Sequence, residues 1–173
     1  MRIVKRTGSK IDWLKWRTEV PRVFGITPAA PETLPVDALL TTRCSVTKKG
    51  GQSEAVPKDF YVSPLNLRFY RVCEQLGRRY GILSDLYGIH FDDEELPFYD
   101  IHPSELTDDR LIELGTMIGT KCRQRRIERL AFYNTSPIMS KPYFCMLAAS
   151  GLETYFLTQL PRFDGVVAQG FFS

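Results

Sequence analysis

Four short stretches of this 173-residue chain carry side chains able to do chemistry. Arg43-Cys44-Ser45, followed by Lys48, sets a thiol among cations, a neighbourhood that favours the thiolate and so a nucleophile or a base contact. A buried structural thiol is the alternative for Cys44, and Lys48 suits a phosphate or carboxylate. Tyr61-x-Ser63 precedes Pro64, where the serine either caps a helix or joins the free amides of its first turn in binding an anion. Ser84-Asp85 follows an apolar run and offers a carboxylate as an acid/base group, or else as a cap for the turn Leu86 to Gly88. Behind Pro97, Tyr99 supplies a ring that can stack on a base and Asp100 a carboxylate that accepts from an exocyclic amine, unless the pair only packs a loop.

Taken in chain order, Cys44-Ser45-x-x-Lys48, Phe60-Tyr61-x-Ser63-Pro64-Leu65 with Arg68-Phe69, Ile82-Leu83-Ser84-Asp85-x-Tyr87-Gly88-Ile89 and Pro97-x-Tyr99-Asp100 form a signature. It resembles that of a family of small, largely uncharacterised α/β proteins. The motifs cover roughly residues 38–101, and the rest of the chain to Leu160 follows by element order. The first two pieces also resemble, more distantly, the Pro-Cys-x-x-Lys-Pro-Tyr-x-x-Ser-x-x-His motif of archaeosine synthases, which act on a deazaguanine base in transfer RNA. Cys44, Lys48, Tyr61 and Ser63 take motif positions there, whereas Arg43 replaces the first proline, an insertion separates Lys48 from Tyr61, and Asn66 stands in place of the histidine. The resemblance therefore implies a class, nucleobase or nucleic-acid processing, rather than a substrate, and says nothing of a cofactor. The expected pocket holds Cys44, Lys48, Asp85 and Asp100 as catalytic candidates, with Arg43, Ser45, Tyr61, Ser63, Ser84 and Tyr99 contacting substrate.

Other residues that bind metals or move protons are less well placed in the sequence. Cys44, Cys73, Cys122 and Cys145 lack the close pairing of zinc sites, and the last three sit on apolar positions where a thiol serves as a small hydrophobe. His90 and His102 fall in an acidic segment and read as surface or structural residues. Asp92 to Glu95 lack the alternation of a calcium loop and read as a solvated turn.

The elements that must position these groups alternate strand and helix, the pattern of a three-layer α/β domain with a parallel-dominated sheet flanked by helices. Val36 to Thr42 predicts a first strand, buried on both faces because Ala38-Leu39-Leu40 is apolar without alternation. A polar loop runs from Arg43 to Phe60. Ser63-Pro64 opens a helix whose Leu65, Phe69, Val72, Cys73 and Leu76 share one face up to Gly77. Tyr80 to Leu83 is the second strand, 107–124 a helix with the stripe Leu111, Leu114, Ile118 and Cys122, and Leu130 to Tyr133 the third strand. A helix over 141–149 stopped by Gly151 and a strand at 155–157 complete the domain, 36–160. Residues 1–35 form a basic N-terminal arm and Pro-rich linker, with a short helix about Trp13, Trp16 and Val20 that Pro21 interrupts or ends. The tail 161–173 is apolar at Val166, Val167, Phe171 and Phe172 and suits a sheet edge or a homodimer contact.

A composition of 43% hydrophobic and 25% charged residues excludes global disorder, and no apolar run approaches the roughly 20 residues that cross a bilayer. The reading is a soluble, cytoplasmic protein without a membrane partner. Its net charge of +3 is laid out in blocks: seven Lys/Arg from Met1 to Arg22, nine carboxylates from Asp85 to Asp109, and an arginine-rich stretch from Arg110 to Arg129. These are either solvated faces or a phosphate-tracking surface. A non-enzymatic nucleic-acid-binding module, using Trp13, Trp16, Arg123, Arg125, Arg126 and Arg129, is thus the alternative to an enzyme that handles a nucleobase. A dimeric structural protein is a third reading.

Overall fold

The computed structural model describes residues 10–45, 48, 53–101 and 106–161. Lys49, His102, the first nine residues and the tail from Arg162 lie outside the described residues. In chain order the elements are α1 (Trp16–Phe24), β1 (Thr27–Pro28), β2 (Leu39–Arg43), β3 (Glu54–Ala55), α2 (Pro57–Phe60), α3 (Pro64–Leu76), β4 (Tyr80–Ser84) and β5 (Gly88–Phe91). They continue with β6 (Leu96–Pro97), α4 (Asp108–Gln124), β7 (Arg129–Tyr133), α5 (Lys141–Ser150) and β8 (Glu153–Leu157). Six strands make one sheet in the order β1-β8-β7-β2-β4-β5, parallel throughout except for the antiparallel pair β4–β5. The fold is the expected three-layer α/β arrangement.

The central strand shows why. Leu39 packs into a cluster with Val20, Leu114, Ile118, Phe132, Phe144 and Phe156 on the face covered by α1, α4 and α5. Leu40 joins Phe69, Val72, Cys73 and Ile82 on the face covered by α2 and α3. Both faces are dry, so the strand tolerates no unpaired polar group; Thr41 and Thr42 donate to the carbonyls of Ala131 (3.3 Å) and Tyr133 (2.7 Å). Ser63 Oγ accepts from the Asn66 amide at 3.3 Å and starts α3, and Gly77, at φ +64°, ends it. In α4 the buried stripe is the expected Leu111, Leu114, Ile118 and Cys122. Gly115 and Gly119 interrupt that stripe so that α5 can come close: a Cβ there would stand 2.2 Å from the Met146 carbonyl oxygen and 2.3 Å from that of Ser150. This approach fixes α5, which carries one wall of the site below.

Several expectations are corrected. The first strand begins at Leu39 rather than Val36, which is 90% exposed. The loop 43–60 contains β3, α2 and a backbone bridge between Lys48 and Tyr61. The segment 88–91, read as part of an acidic stretch, is a fully buried edge strand, paired Leu83↔Ile89 and Ile82↔His90. Within the segment read as an arm, Val20, Val23, Phe24 and Ile26 are buried in the main core. Thr27–Pro28 forms the other edge of the sheet, where a proline costs no ladder bond. Pro21 lies inside α1 without ending it.

Candidate functional site

β2 runs into the 43–60 segment and α3 on one face of the sheet, whereas its neighbour β7 runs into α5 on the other. Loops leaving adjacent parallel strands in opposite directions open a crevice at their carboxyl ends, the place where ligands bind in open α/β sheets. A cleft of about 750 Å³ lies there. Its polar wall comes from the ends of three strands: Arg43, Cys44, Ser45 and Lys48 after β2, Asp85 after β4, and Asn134, Thr135 and Ser136 after β7, with Asp100 at the rim. Its apolar wall is Ile101, Leu106, Leu111, Met139, Pro142, Tyr143 and Met146.

The four groups proposed from sequence as catalytic, Cys44, Lys48, Asp85 and Asp100, thus meet in one cleft, together with Arg43 and Ser45. Asp85 reaches it because the turn after β4 is capped by another residue: Ser84 Oγ accepts from the amides of Leu86 (3.2 Å) and Tyr87 (3.0 Å). Its carboxylate is free of that task and lines the cleft, only 7% exposed as a residue. Burial raises its pKa above the ordinary carboxylate value, opposed by a hydrogen bond from the Cys44 thiol and the charge of Lys48.

Of the two readings the sequence leaves for Cys44, the structure opposes the activated thiolate and matches the buried thiol. Cys44 is 4% exposed; burial and then the neighbouring Asp85 charge push its thiol up to about 12, against which Lys48 counts for less. Its sulfur also lies 3.7 Å from Tyr143 Oη. The resting thiol is neutral at physiological pH, and the cations adjacent in sequence are outweighed by a carboxylate distant in sequence. Tyr143, whose own pKa burial raises, completes a cluster of three titratable groups on the cleft floor.

Tyr61, Ser63, Ser84 and Tyr99 do not line the cleft; they build its support. Ser63 Oγ donates to Asn66 Oδ1 (2.5 Å), and Asn66 Nδ2 donates to the Arg43 carbonyl (2.9 Å), which ties the start of α3 to the exit of β2. Asn66, fully buried, therefore holds the loop that carries Cys44. Across the crevice Asn134 Oδ1 accepts from Arg43 Nε (3.3 Å) and Nδ2 donates to Ser140 Oγ (2.8 Å), joining β2, β7 and the turn into α5. Tyr61, Ser84 and Tyr99 form a buried hydrogen-bonded group beneath Lys48, whose Nζ lies 4.9 Å from the centre of the Tyr99 ring.

Sequence reasoning ended the third strand at Tyr133 and gave the residues after it, Asn134 to Ser136, no place in the site, and it missed Tyr143, Met139 and Met146. Tyr143 and Met146 read as ordinary members of the helix over 141–149 and Met139 as part of the connection before it; the only available signal was their position after the third strand. Among the described residues no group of three or more His, Cys, Asp or Glu side chains is placed to hold a metal ion. No helix among them is long and apolar enough to cross a membrane. Fold and site define a three-layer α/β protein with a charged cleft at the topological switch point. No family model, curated protein or solved structure matches the chain.

Proposed function

We propose that the cleft takes a nucleobase, presented on a nucleotide or within a nucleic acid. The observation that carries this reading is the placing of two carboxylates, Asp85 and Asp100, and two cations, Arg43 and Lys48, in one cleft whose polar wall faces an apolar one. A flat heteroaromatic ring suits the wall of Leu106, Leu111, Met139 and Met146; the carboxylates suit its ring and exocyclic N–H groups, and the cations suit a phosphate. Asp85 is the acid/base candidate, since burial brings its titration closer to neutrality. Cys44, neutral at rest, is assigned as a donor to Asp85 and a contact to the ligand rather than as a standing thiolate.

One further observation favours nucleic acid over a free nucleotide. A second groove of about 780 Å³, in which Trp13 and Trp16 stand among two cations, Lys10 and Arg22, and two carboxylates, Asp12 and Glu19, shares the 134–142 segment with the cleft through Pro137 and Ile138. Leu14 at its edge is 97% exposed. The test is calorimetric titration with the four ribonucleoside monophosphates and with short single-stranded oligonucleotides, for the native chain and for Asp85→Asn. Saturable binding that Asp85→Asn weakens supports the reading, with oligonucleotides ahead if the groove contributes. Binding that ignores both the base and Asp85 defeats it.

A further inference from the structure

Behind the cleft lies a buried chain of hydrogen bonds that no direct contact with a ligand would require. His90, 0% exposed, has Nε2 2.7 Å from the carbonyl oxygen of Glu94 and Nδ1 3.3 Å from Tyr61 Oη. A carbonyl only accepts, so Nε2 carries the proton and Nδ1 accepts from Tyr61. Tyr61 Oη in turn stands 3.3 Å from Tyr99 Oη, and Tyr99 Oη stands 2.8 Å from Ser84 Oγ. With Tyr61 spending its proton on His90, Tyr99 must donate to Tyr61 and Ser84 to Tyr99. Ser84 Oγ meanwhile accepts the two amides of Leu86 and Tyr87. One tautomer of one histidine thus dictates the direction of every bond in the chain.

Lys48 rests on two members of that chain. Its backbone bridges to that of Tyr61, and its ammonium lies over the ring of Tyr99. We propose that His90 is the positioning residue of the cleft's lysine: in its neutral form it fixes, through Tyr61 and Tyr99, the seat on which Lys48 is held, and its protonation unseats Lys48. Protonated His90 donates at both nitrogens, so Tyr61 must turn its proton to Tyr99 and Tyr99 to Ser84. Ser84 then has an oxygen already accepting two amides and a proton without its former acceptor. The reversed chain leaves a buried donor unsatisfied, and relieving it requires the Tyr99 ring to move.

The titratable and charged groups facing His90 are Tyr61, the Glu94 carboxylate, Lys121 on α4 and Tyr87, whose ring centre is 6.1 Å away. Glu94 is paired with Lys121 at 3.3 Å and accepts from the Phe91 amide, so its charge is largely spent. Burial is the largest influence on the ring and places its pKa below the ordinary 6.5. The chain is therefore set at neutral pH and reverses only on acidification below the ordinary imidazole value.

The role assigned to Lys48 as a ligand contact rests on the function proposed above; the device itself is tested without any ligand. In protein labelled with ¹³C at lysine, with Lys48 assigned by Lys48→Arg, the side-chain protons of Lys48 are expected upfield at pH 7.5 from the Tyr99 ring current. On acidification that displacement is lost in step with titration of the His90 imidazole, which is separable from the only other histidine by His102→Gln. Tyr61→Phe and Tyr99→Phe, which keep the rings and remove the hydroxyls, uncouple the Lys48 signal from the His90 titration. A Lys48 signal that does not follow His90 in the native chain, or a step that survives in both variants, overturns the proposal. Added inorganic phosphate separates the two claims: a Lys48 signal that follows His90 but ignores phosphate leaves the device standing and removes the phosphate role.

Discussion

The two ends of the sheet carry the same kinds of charged side chain and treat them in opposite ways. At the amino ends of the parallel strands Arg79 pairs with Asp92 (2.6 Å) and Asp93 (2.9 Å), Arg125 with Asp93 (2.7 Å), and Arg129 with Asp37 (2.7 Å) and Glu153 (2.8 Å). At the carboxyl ends Arg43, Lys48, Asp85 and Asp100 surround one cleft, yet among the described residues none of them enters an ion pair. A fold gains little from exposed pairs and loses something by burying an open carboxylate, so the asymmetry is the signature of a surface set aside for a ligand. Charges that satisfy one another are available to nothing else.

The contrast is broken most severely at Asp85. Asp85→Asn keeps the shape and removes the acceptor charge; the expected loss in affinity for a nucleotide or oligonucleotide is at least about tenfold and up to about a hundredfold, the range for a hydrogen bond to a charged group, read by calorimetry. Unchanged affinity would mean that the open carboxylate is not a ligand group.

The same substitution sharpens the account of the thiol. Because the Asp85 charge is one of the causes holding Cys44 up, Asp85→Asn lowers the thiol pKa, and alkylation of Cys44 at fixed pH accelerates by about three- to fourfold for each pK unit removed, the gain in thiolate being partly offset by its lower nucleophilicity. A dyad in which Asp85 activates Cys44 as a base would give the opposite sign. Cys73, buried on α3, is the internal control and keeps its rate. Pulsed alkylation followed by mass spectrometry reads both.

A smaller effect is expected in stability. A carboxylate whose pKa is raised on folding binds its proton more tightly in the native state, so its contribution falls as pH rises from the unfolded value near 3.8 through the raised one. Above the raised value the native chain bears that penalty in full, and Asp85→Asn relieves it, raising stability by about 1 kcal/mol and flattening the decline that sets in above pH 3.8. Denaturant midpoints followed from pH 3.5 to 7.5 measure it. Smallest of all is the change at the other end: Asp93→Asn, which breaks exposed pairs to Arg79 and Arg125, is expected to cost about 0–1 kcal/mol, less at high salt, and to leave ligand affinity untouched.

How much of this was legible in the sequence follows from whether the deciding neighbours are near in the chain. β2, α3, β4, α4 and β7 could be read because apolar runs, an N-cap before Pro64 and a stripe over 111–122 are local signals. The meeting of Cys44, Lys48, Asp85 and Asp100 followed from one rule, that the loops at the carboxyl ends of parallel strands converge. What escaped was set by distant contacts. β5 has four residues and a buried histidine in place of an alternating pattern, and β1 is an edge strand ending in proline. The thiol of Cys44 looked activated because Arg43 and Lys48 are near it in sequence, whereas its state is governed by burial and by Asp85. Tyr61, Ser84 and Tyr99 looked like substrate contacts because they share motifs with residues that line the cleft, and the structure sets them one layer behind.

The most direct test of the claim that the carboxyl-end cleft is the binding site is amide chemical-shift mapping of the ¹⁵N-labelled chain during titration with a nucleoside monophosphate. The expected shifts concentrate at Arg43 to Ser45, Asp85, Asp100 and Asn134 to Tyr143, saturate together and are lost in Asp85→Asn, with Asp37, Arg79, Asp92 and Arg129 unmoved. Shifts centred on the amino-end ion pairs, or none at any of these positions at millimolar ligand, would contradict it.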